Sequence, residues 1–439
     1  MKKILVLGYV WPEPNSSAAG SRMLELVQLF LAMQCEVTFA SAAALSEHRF
    51  DLNSLGVAEK TIALNCSSFD EFVCALQPDA VLFDRFFTEE QFGWRVEQQC
   101  PQALRILDTE DFHSLRHARQ QLLKSAQKAQ GNDGVATEKE RQSVPPVSAT
   151  AAELYTQMCS SDMVQREVAA IFRCDLSLMI SEVEMELLQQ FFSVPAPLLF
   201  YCPFLSQPKI ADKTLPDFSA RQHFITIGNF RHEPNWDSVL WLKHQLWPLI
   251  RAQFAQANLV APELHIYGAY PPPKATQLHN AKEGFHIKGW AADAQAVMQN
   301  ARVCLAPLRF GAGIKGKLMD AIHCGTPSVT TRIGCESMSG GLAWCGVIAD
   351  NAEVFAQAAL DLYQQPSLWQ EKQQQGFNIL RDYFYRCDYA TELQQRLLSL
   401  EENIAAERQR NFIGQMLRHH HHKSTQYMAQ WIEAKNSDR

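Results

Sequence analysis

RFGAGIKGKLMDAIHCGTPSVTT, residues 309–331, decides how this chain is read. Gly311, Gly316 and Lys317 satisfy G-x-x-x-x-G-K, the opening of a loop that cradles nucleoside triphosphates. The next residue of such a loop is Ser or Thr, whose hydroxyl holds magnesium. Here it is Leu318. This half of the chain also offers no convincing strand-terminal Asp as a partner for the metal. The segment reads instead as strand, glycine loop and helix. VCLAPL ends at Leu308, RFGAG turns, and Ile314, Leu318, Ala321 and Ile322 recur on one helix face, with Gly325 and Pro327 as the stop.

Such a junction gathers unpaired backbone N–H groups at the positive end of a helix dipole. Gly311 and Gly313 let an anion approach the backbone, and Arg309, Lys315 and Lys317 add charge-assisted bonds. Asp320, one turn into the helix, repels phosphate but suits ribose hydroxyls. The constellation fits a nucleoside diphosphate group held without a protein hydroxyl for magnesium.

Outward from this segment, strand-like and helix-like runs alternate. KILVLGY is apolar throughout, as expected of a strand buried on both faces of a parallel sheet. CEVTFASA, DAVLFDRF, ALRILDTED and DLSLMIS follow as strands of a first α/β unit, two of them ending in acids. HFITIGNF, ELHIYGAY, GFHIKGW, VCLAPL and PSVTT belong to a second. Neither unit carries G-x-G-x-x-G after its first strand, which argues against an ordinary dinucleotide-binding protein. Residues 119–160, rich in Gln, Ala, Ser, Lys and Glu, read as a flexible insertion with some helix. Residues 194–217 hold five prolines and read as the connection between units. The expected domains are 1–205, 206–385 and a helical tail, 386–439.

The 439 residues suit two or three domains. Formal net charge is −7, with 47% hydrophobic and 20% charged residues, so no global basic field favours nucleic acid. The twelve cysteines form no C-x-x-C pair and read as buried thiols in a reducing compartment. MKKILVLGYVWPEP looks like a signal peptide at first, but its apolar run is short and lacks a small-residue cleavage site. No apolar run of about 18 residues predicts a membrane span. The expected location is cytoplasmic, with peripheral contact at the inner membrane left open. His419–His422 point in different directions on a helix and read as a solvated polar turn, so no metal site is expected.

APLRFGAGIKGKLMDAIHCGTPSVTTRIGCESM resembles the donor-site segment of group 1 (family four) retaining glycosyltransferases. It is most similar to a bacterial branch with the pattern PLR-x-GAG-x-KGK. IGNFRHEPNWDSVLWL, LDTEDFHSLRHAR and CDLSLMISEVEMELL resemble that branch's G-x-F-x-H-x-PN-x-DA, DT-x-D-x-H-x-x-R and S-E-x-E segments, in order. The resemblance implies the α/β GT-B architecture: two Rossmann-like doubly wound domains facing across a cleft, with a C-terminal helix returning to the first. It implies a nucleotide-sugar donor in the second domain, UDP- and GDP-sugars foremost, an acceptor on the first, and no metal or other cofactor. Glycan, lipid-linked and small-molecule acceptors are all compatible, as is a role in bacterial surface-glycan synthesis. Many members carry E-x7-E here. Asp320 stands at the second position and Ala312 at the first.

Transfer leaves negative charge on the departing diphosphate, which aimed cations and N–H groups stabilise. Arg231, Lys315, Lys317 and the backbone of Gly311, Ala312, Gly313 and Ile314 are expected there, with Gly228, Arg309, Asp320 and Glu336 completing the donor site. Asp111 and His113 follow a strand end and are expected at the acceptor hydroxyl or reacting sugar; Gly20 and Arg22 are expected to border the acceptor. His232 and Asp84 are lesser candidates. A non-catalytic binding or partner protein of this architecture and a nucleotide-sugar epimerase remain as alternatives.

Overall fold

The computed structural model describes residues 1–130, 138–205 and 215–437. Its strands form two sheets. The first holds β1 (Lys3–Gly8), β2 (Glu36–Ser41), β3 (Ala58–Thr61), β4 (Ala80–Asp84), β5 (Leu104–Asp108), β6 (Leu176–Met179) and β7 (Leu199–Tyr201), in the order 3-2-1-4-5-6-7. The second holds β8 (Gln222–Ile227), β9 (Leu264–Tyr267), β10 (Phe285–Gly289), β11 (Ala301–Ala306), β12 (Ser328–Thr330) and β13 (Gly346–Ile348), in the order 10-9-8-11-12-13. Neighbouring strands are parallel throughout.

The apolar run of β1 has the burial its composition predicts. Leu5 and Leu7 join the core on one face of the sheet, while Ile4 and Val6 join the core on the other. A strand covered by helices on both faces has no polar side, so the run does not alternate. In each sheet the strand order reverses beside the first strand, between β1 and β4 and between β8 and β11. Loops leaving the strand ends there diverge, and the crevice between them is where such sheets bind ligands.

Three strands escaped the sequence reading. β3 reads AEKT, polar and at an edge; β7 hides in the proline-rich stretch; β13 is three residues long. Short or polar edge strands have little apolar area to bury and leave little pattern. The insertion also differs from expectation. Its first residues continue a helix, His113–Ala129, and further helices follow at Glu138–Gln142 and Ala151–Cys159, the last with a Thr150/Glu153 capping box. Residues 131–137 lie outside the described residues. Val144 of the insertion packs with Leu123 and Phe310, so this part of the segment is anchored against the glycine-loop region of the second unit.

The first helix of the tail packs on the first unit. Leu393, Leu397 and Leu400, on helix Tyr389–Arg410, are buried with Ile4, Val6, Leu104 and Leu176 of the first sheet. The amino terminus meets Glu401 at 2.6 Å, and Arg408 meets Asp175 at 2.7 Å. Helix Phe412–Ser437 then lies on the first unit, where Asn411 donates to the Phe172 carbonyl at 2.7 Å. No helix among the described residues is long and apolar enough to cross a membrane.

If this helix completes the first core, Leu397→Ala will cost about 2–5 kcal/mol of stability, as for other buried leucines. Urea unfolding followed by tryptophan fluorescence measures it; a change below about 0.5 kcal/mol, the size of a surface substitution, would mean that the helix only rests on the surface.

Candidate functional site

The glycine loop leaves β11 and enters helix Gly316–His323. Leu318, Met319, Ala321 and Ile322 are its buried face, and Gly325, at φ +58°, ends it. The helix starts two residues later than the apolar spacing suggested, leaving Ile314 buried in the loop. Lys315 occupies the N-cap position without a side-chain cap. The amides of Ile314 to Lys317 make no hydrogen bond among the described residues, and the first bond of the turn runs from the Leu318 amide to the Lys315 carbonyl at 2.8 Å. This is an uncapped, positive helix end.

Two glycines bring the units together. Gly313 has φ +63°, a left-handed conformation costly for other residues, and a Cβ there would lie 2.9 Å from the Asp111 Cβ. A Cβ on Gly316 would lie 2.5 Å from that of Ala18. At this approach Glu184, on helix Glu182–Phe192, accepts the Gly313 amide at 2.6 Å and the Phe112 amide at 3.2 Å. Arg119 donates to the Gly311 carbonyl at 2.8 Å and takes both oxygens of Glu336, at 2.7 and 2.6 Å. Lys315 turns back to the Gly313 carbonyl at 2.7 Å. Burial and the nearby Asp111 charge push the Glu184 carboxyl up to about 8, against the pull of the Gly313 amide and Lys315. Burial lowers the Lys315 ammonium, although Glu336 and Glu184 oppose the shift.

Several expected ligand-binding groups therefore have other work. The Gly313 amide and Glu336 hold the units together, and Lys315 ties the glycine loop to itself. Arg309 is 1% exposed and is locked by Asp237 at 2.9 Å, the Gln142 side chain at 2.6 Å and the Val144 carbonyl at 3.0 Å, so it faces the insertion and not an anion. Arg22, also 1% exposed, is paired with Asp108 at 2.8 Å inside the first unit. Gly20 lets the loop after β1 fold onto its helix, since a Cβ would fall 2.4 Å from the Glu13 backbone. Gly228 makes room for the Asn235 side chain in the same way, at 2.6 Å.

Other expected residues come together between the units. Lys317 makes no ion pair or hydrogen bond among the described residues, and burial lowers its ammonium to about 8. Burial raises Asp320, on the same turn, to about 7. His232, from the loop after β8, keeps an exposed edge, but desolvation by the surrounding protein and the positive charges of Arg116, Lys317 and Arg85 lower its imidazole to about 3, with Asp111 opposing them. Groups of both units thus act on one imidazole. Asp111 is paired with Arg116 and lies 3.2 Å from His113 Nδ1. Burial alone would raise its carboxyl, but Arg116 and His113 hold it well below the usual carboxylate range. Glu167 positions His113 by accepting the His113 and Ser114 amides at 2.8 and 2.9 Å, which caps that helix start with a carboxylate. At the rim, the exposed Arg231 guanidinium sits 3.7 Å over the Tyr270 ring, and Tyr270 donates to Glu13 at 2.8 Å.

The sequence reading missed part of this set. Arg116 and Glu184 lie inside segments it had matched, where their spacing could have marked them. Arg85 and Glu110 follow the ends of β4 and β5 with φ of +69° and +62°, left-handed positions that store strain and aim side chains. Burial, with Asp108 and Asp84 nearby, raises the Glu110 carboxyl well above its ordinary value. Arg119 closes the matched segment LDTEDFHSLRHAR but lies beyond its pattern, so spacing did not mark it. The site as a whole can hold an anion on one wall and offers carboxylate and imidazole groups on the other.

Residues 221–365, which carry the glycine loop, match the family model described as Glycosyl transferases group 1. Solved structures are similar along most of the chain. Sucrose-phosphate synthase from Thermosynechococcus elongatus is 14% identical, covers 91% of this chain and 99% of its own, and has a TM-score of 0.60. Anabaena HepE in complex with UDP-glucose is 12% identical, covering 92% and 100%, with a TM-score of 0.59. A glycosyltransferase from Rickettsia africae is 10% identical, covering 90% and 97%, with a TM-score of 0.58. No curated protein sequence matches the chain. At these identities the likeness is one of fold, and the fold is α/β GT-B: two Rossmann-like units with a C-terminal helical region.

Gly313→Ala will place a methyl group against Asp111 in a left-handed position. The left-handed backbone alone accounts for about 1–2 kcal/mol of destabilisation, and the clash adds to it. Chemical denaturation measures the loss, and an unchanged midpoint would show that the units do not approach through this glycine.

Proposed function

We propose that this chain is a retaining glycosyltransferase that moves a sugar from a nucleoside-diphosphate sugar to an acceptor hydroxyl. The observation that carries the reading is Lys317. It is a walled-in cation with no protein partner among the described residues, on the first turn of an uncapped helix. That helix follows β11, at the strand ends where α/β sheets bind ligands. The match of this unit to the group 1 glycosyltransferase model supports the same conclusion.

In this reading the diphosphate lies at the first turn of helix Gly316–His323, against the unpaired amides and Lys317, with Arg231 swinging in from Tyr270. As the bond from the anomeric carbon to the β-phosphate breaks, these groups take up the leaving negative charge. Asp320 accepts from the ribose hydroxyls. Asp111, held ionised by Arg116, faces the positive charge that builds on the sugar, and His113 orients the acceptor hydroxyl. Lys317, Arg231 and the helix end do the work that a metal ion does in other phosphate sites. UDP- and GDP-sugars lead the candidate donors; the similarly folded HepE is itself complexed with UDP-glucose. The acceptor belongs to glycan, lipid-linked or small-molecule hydroxyls, with bacterial surface-glycan synthesis, in the cytoplasm or at the inner face of a membrane, as the setting. A nucleotide-sugar-binding protein without transfer is the second reading. It is favoured by Ala312 in place of the family's first glutamate.

Calorimetric titration with UDP, GDP, ADP and CMP, with chelator present, tests the donor site. One diphosphate should bind in the micromolar range, and Lys317→Ala should weaken it about ten- to hundredfold, the loss of one charged hydrogen bond. Failure of every nucleotide to bind folded protein would remove the reading, and binding without sugar transfer to any acceptor would favour the second.

The site charges also predict a pH profile. Binding a diphosphate favours protonated Lys317 and neutral Asp320. With Lys317 lowered to about 8 and Asp320 raised to about 7, affinity should fall as pH rises from 7 to 9. Lys317→Arg keeps its charge and should flatten the upper part of that fall. A wild-type affinity constant over this range would contradict the assignment.

A further inference from the structure

The second sheet carries a cluster of ionisable side chains at the end away from the cleft. His223, His265 and His286 are each the second residue of a parallel strand, β8, β9 and β10 respectively. Parallel pairing sets them side by side: His286 stands opposite His265, and Phe224, the neighbour of His223, opposite Leu264. Glu263 immediately precedes β9. His223 has φ +62°, an unusual backbone for a histidine, and its amide is held by the Tyr363 hydroxyl at 3.0 Å.

The ligand atoms of His223, Glu263 and His265 all lie within 4.8 Å of one another. Glu263 Oε2 is 2.6 Å from His265 Nε2, and its Oε1 is 3.5 Å from His286 Nε2. The His286 Nε2 atom is buried and has no hydrogen-bond partner, although a nitrogen in such a place ordinarily finds one. His265 and His286 meet edge to face, with ring centroids 5.7 Å apart.

We propose that His223, Glu263 and His265 form a binding site for one divalent transition-metal ion, with zinc as the best fit, and that His286, which lies outside this close group but within 3.5 Å of Glu263, swings in as the fourth ligand. Three imidazoles and one carboxylate, with no thiolate, are a donor set of borderline hardness. Four such ligands close a tetrahedral shell at about 2.0–2.2 Å from the ion. The ion would take the place of the proton shared by His265 Nε2 and Glu263 Oε2, with His265 then carrying its proton on Nδ1. It would give His286 Nε2 the partner it lacks. His223 Nδ1 accepts the Glu263 amide at 3.2 Å, and His223 would exchange that long bond for the metal. Because the ligands come from three adjacent strands, including the edge strand β10, a bound ion would fasten the open edge of the sheet. The site is independent of the transfer reaction and would act on stability.

The test uses the full chain, stripped with chelator, and Zn²⁺ titrated against a chromophoric competitor. Wild type should take up one tight equivalent that both His265→Ala and Glu263→Gln lose, with affinity at least about a hundredfold weaker in each. Any uptake by the four consecutive histidines at 419–422 is the same in all three proteins and cancels in the comparison. Zn²⁺ should also raise the thermal midpoint of wild type and leave that of the variants unmoved. Glu263→Gln preserves shape, so it decides the matter should His265→Ala fold poorly. Equal tight uptake by wild type and Glu263→Gln, or no tight uptake by wild type, would overturn the proposal and leave the cluster a hydrogen-bonded surface feature.

Discussion

The contact on which the site depends is the one between the Glu184 carboxyl and the Gly313 amide. One oxygen takes an N–H from the second unit and the other takes an N–H from the first, at Phe112. The acid is fully buried, so removing either donor would leave a polar group in the interior without a partner. Arg119 repeats the link a short way off, binding the same loop through the Gly311 carbonyl and Glu336. The glycine loop is therefore shaped by the first unit as much as by its own strand and helix. Its position relative to Asp111 and His113 follows from these few bonds.

That arrangement divides the basic residues of the loop by task. Arg309 and Lys315 are consumed by structure: one ties the insertion to the helix bearing Asp237, and the other ties the loop to itself. Lys317 alone of the three has no bond within the protein among the described residues. A row of three cations thus contains one that can serve a ligand and two that hold it in place. The same division applies on the facing wall. Arg22 neutralises Asp108 in the interior, while Arg116 pairs with Asp111 in the cleft.

The double-wound core was legible because its signal is local. Unbroken apolar strands such as KILVLG need no partner to be recognised, and the glycine-rich turn before an apolar helix face marks its own geometry. The convergence of Asp111 and Lys317 could be expected from the resemblance, since each follows a strand end. What could not be read was which charges pair. Arg22 and Asp108 are 86 residues apart and Arg119 and Glu336 are 217 apart, and nothing in spacing couples them. The packing of the insertion was hidden for a related reason. Its composition is that of a flexible segment, but its few apolar side chains, Val144 among them, find partners on the distant glycine loop. Burial by a remote element leaves no periodicity behind.

The returning helix gives the chain an unusual order of assembly. Ile4 and Val6 belong to the first strand, but the leucines that finish covering them are at 393, 397 and 400. The whole second unit lies between. During synthesis from the amino terminus, the first unit emerges well before its last apolar cover. It must wait in a partly open state, with one face of its sheet incompletely sealed, while the second unit is made and folds. The first domain of the chain to be translated is thus the last to be completed.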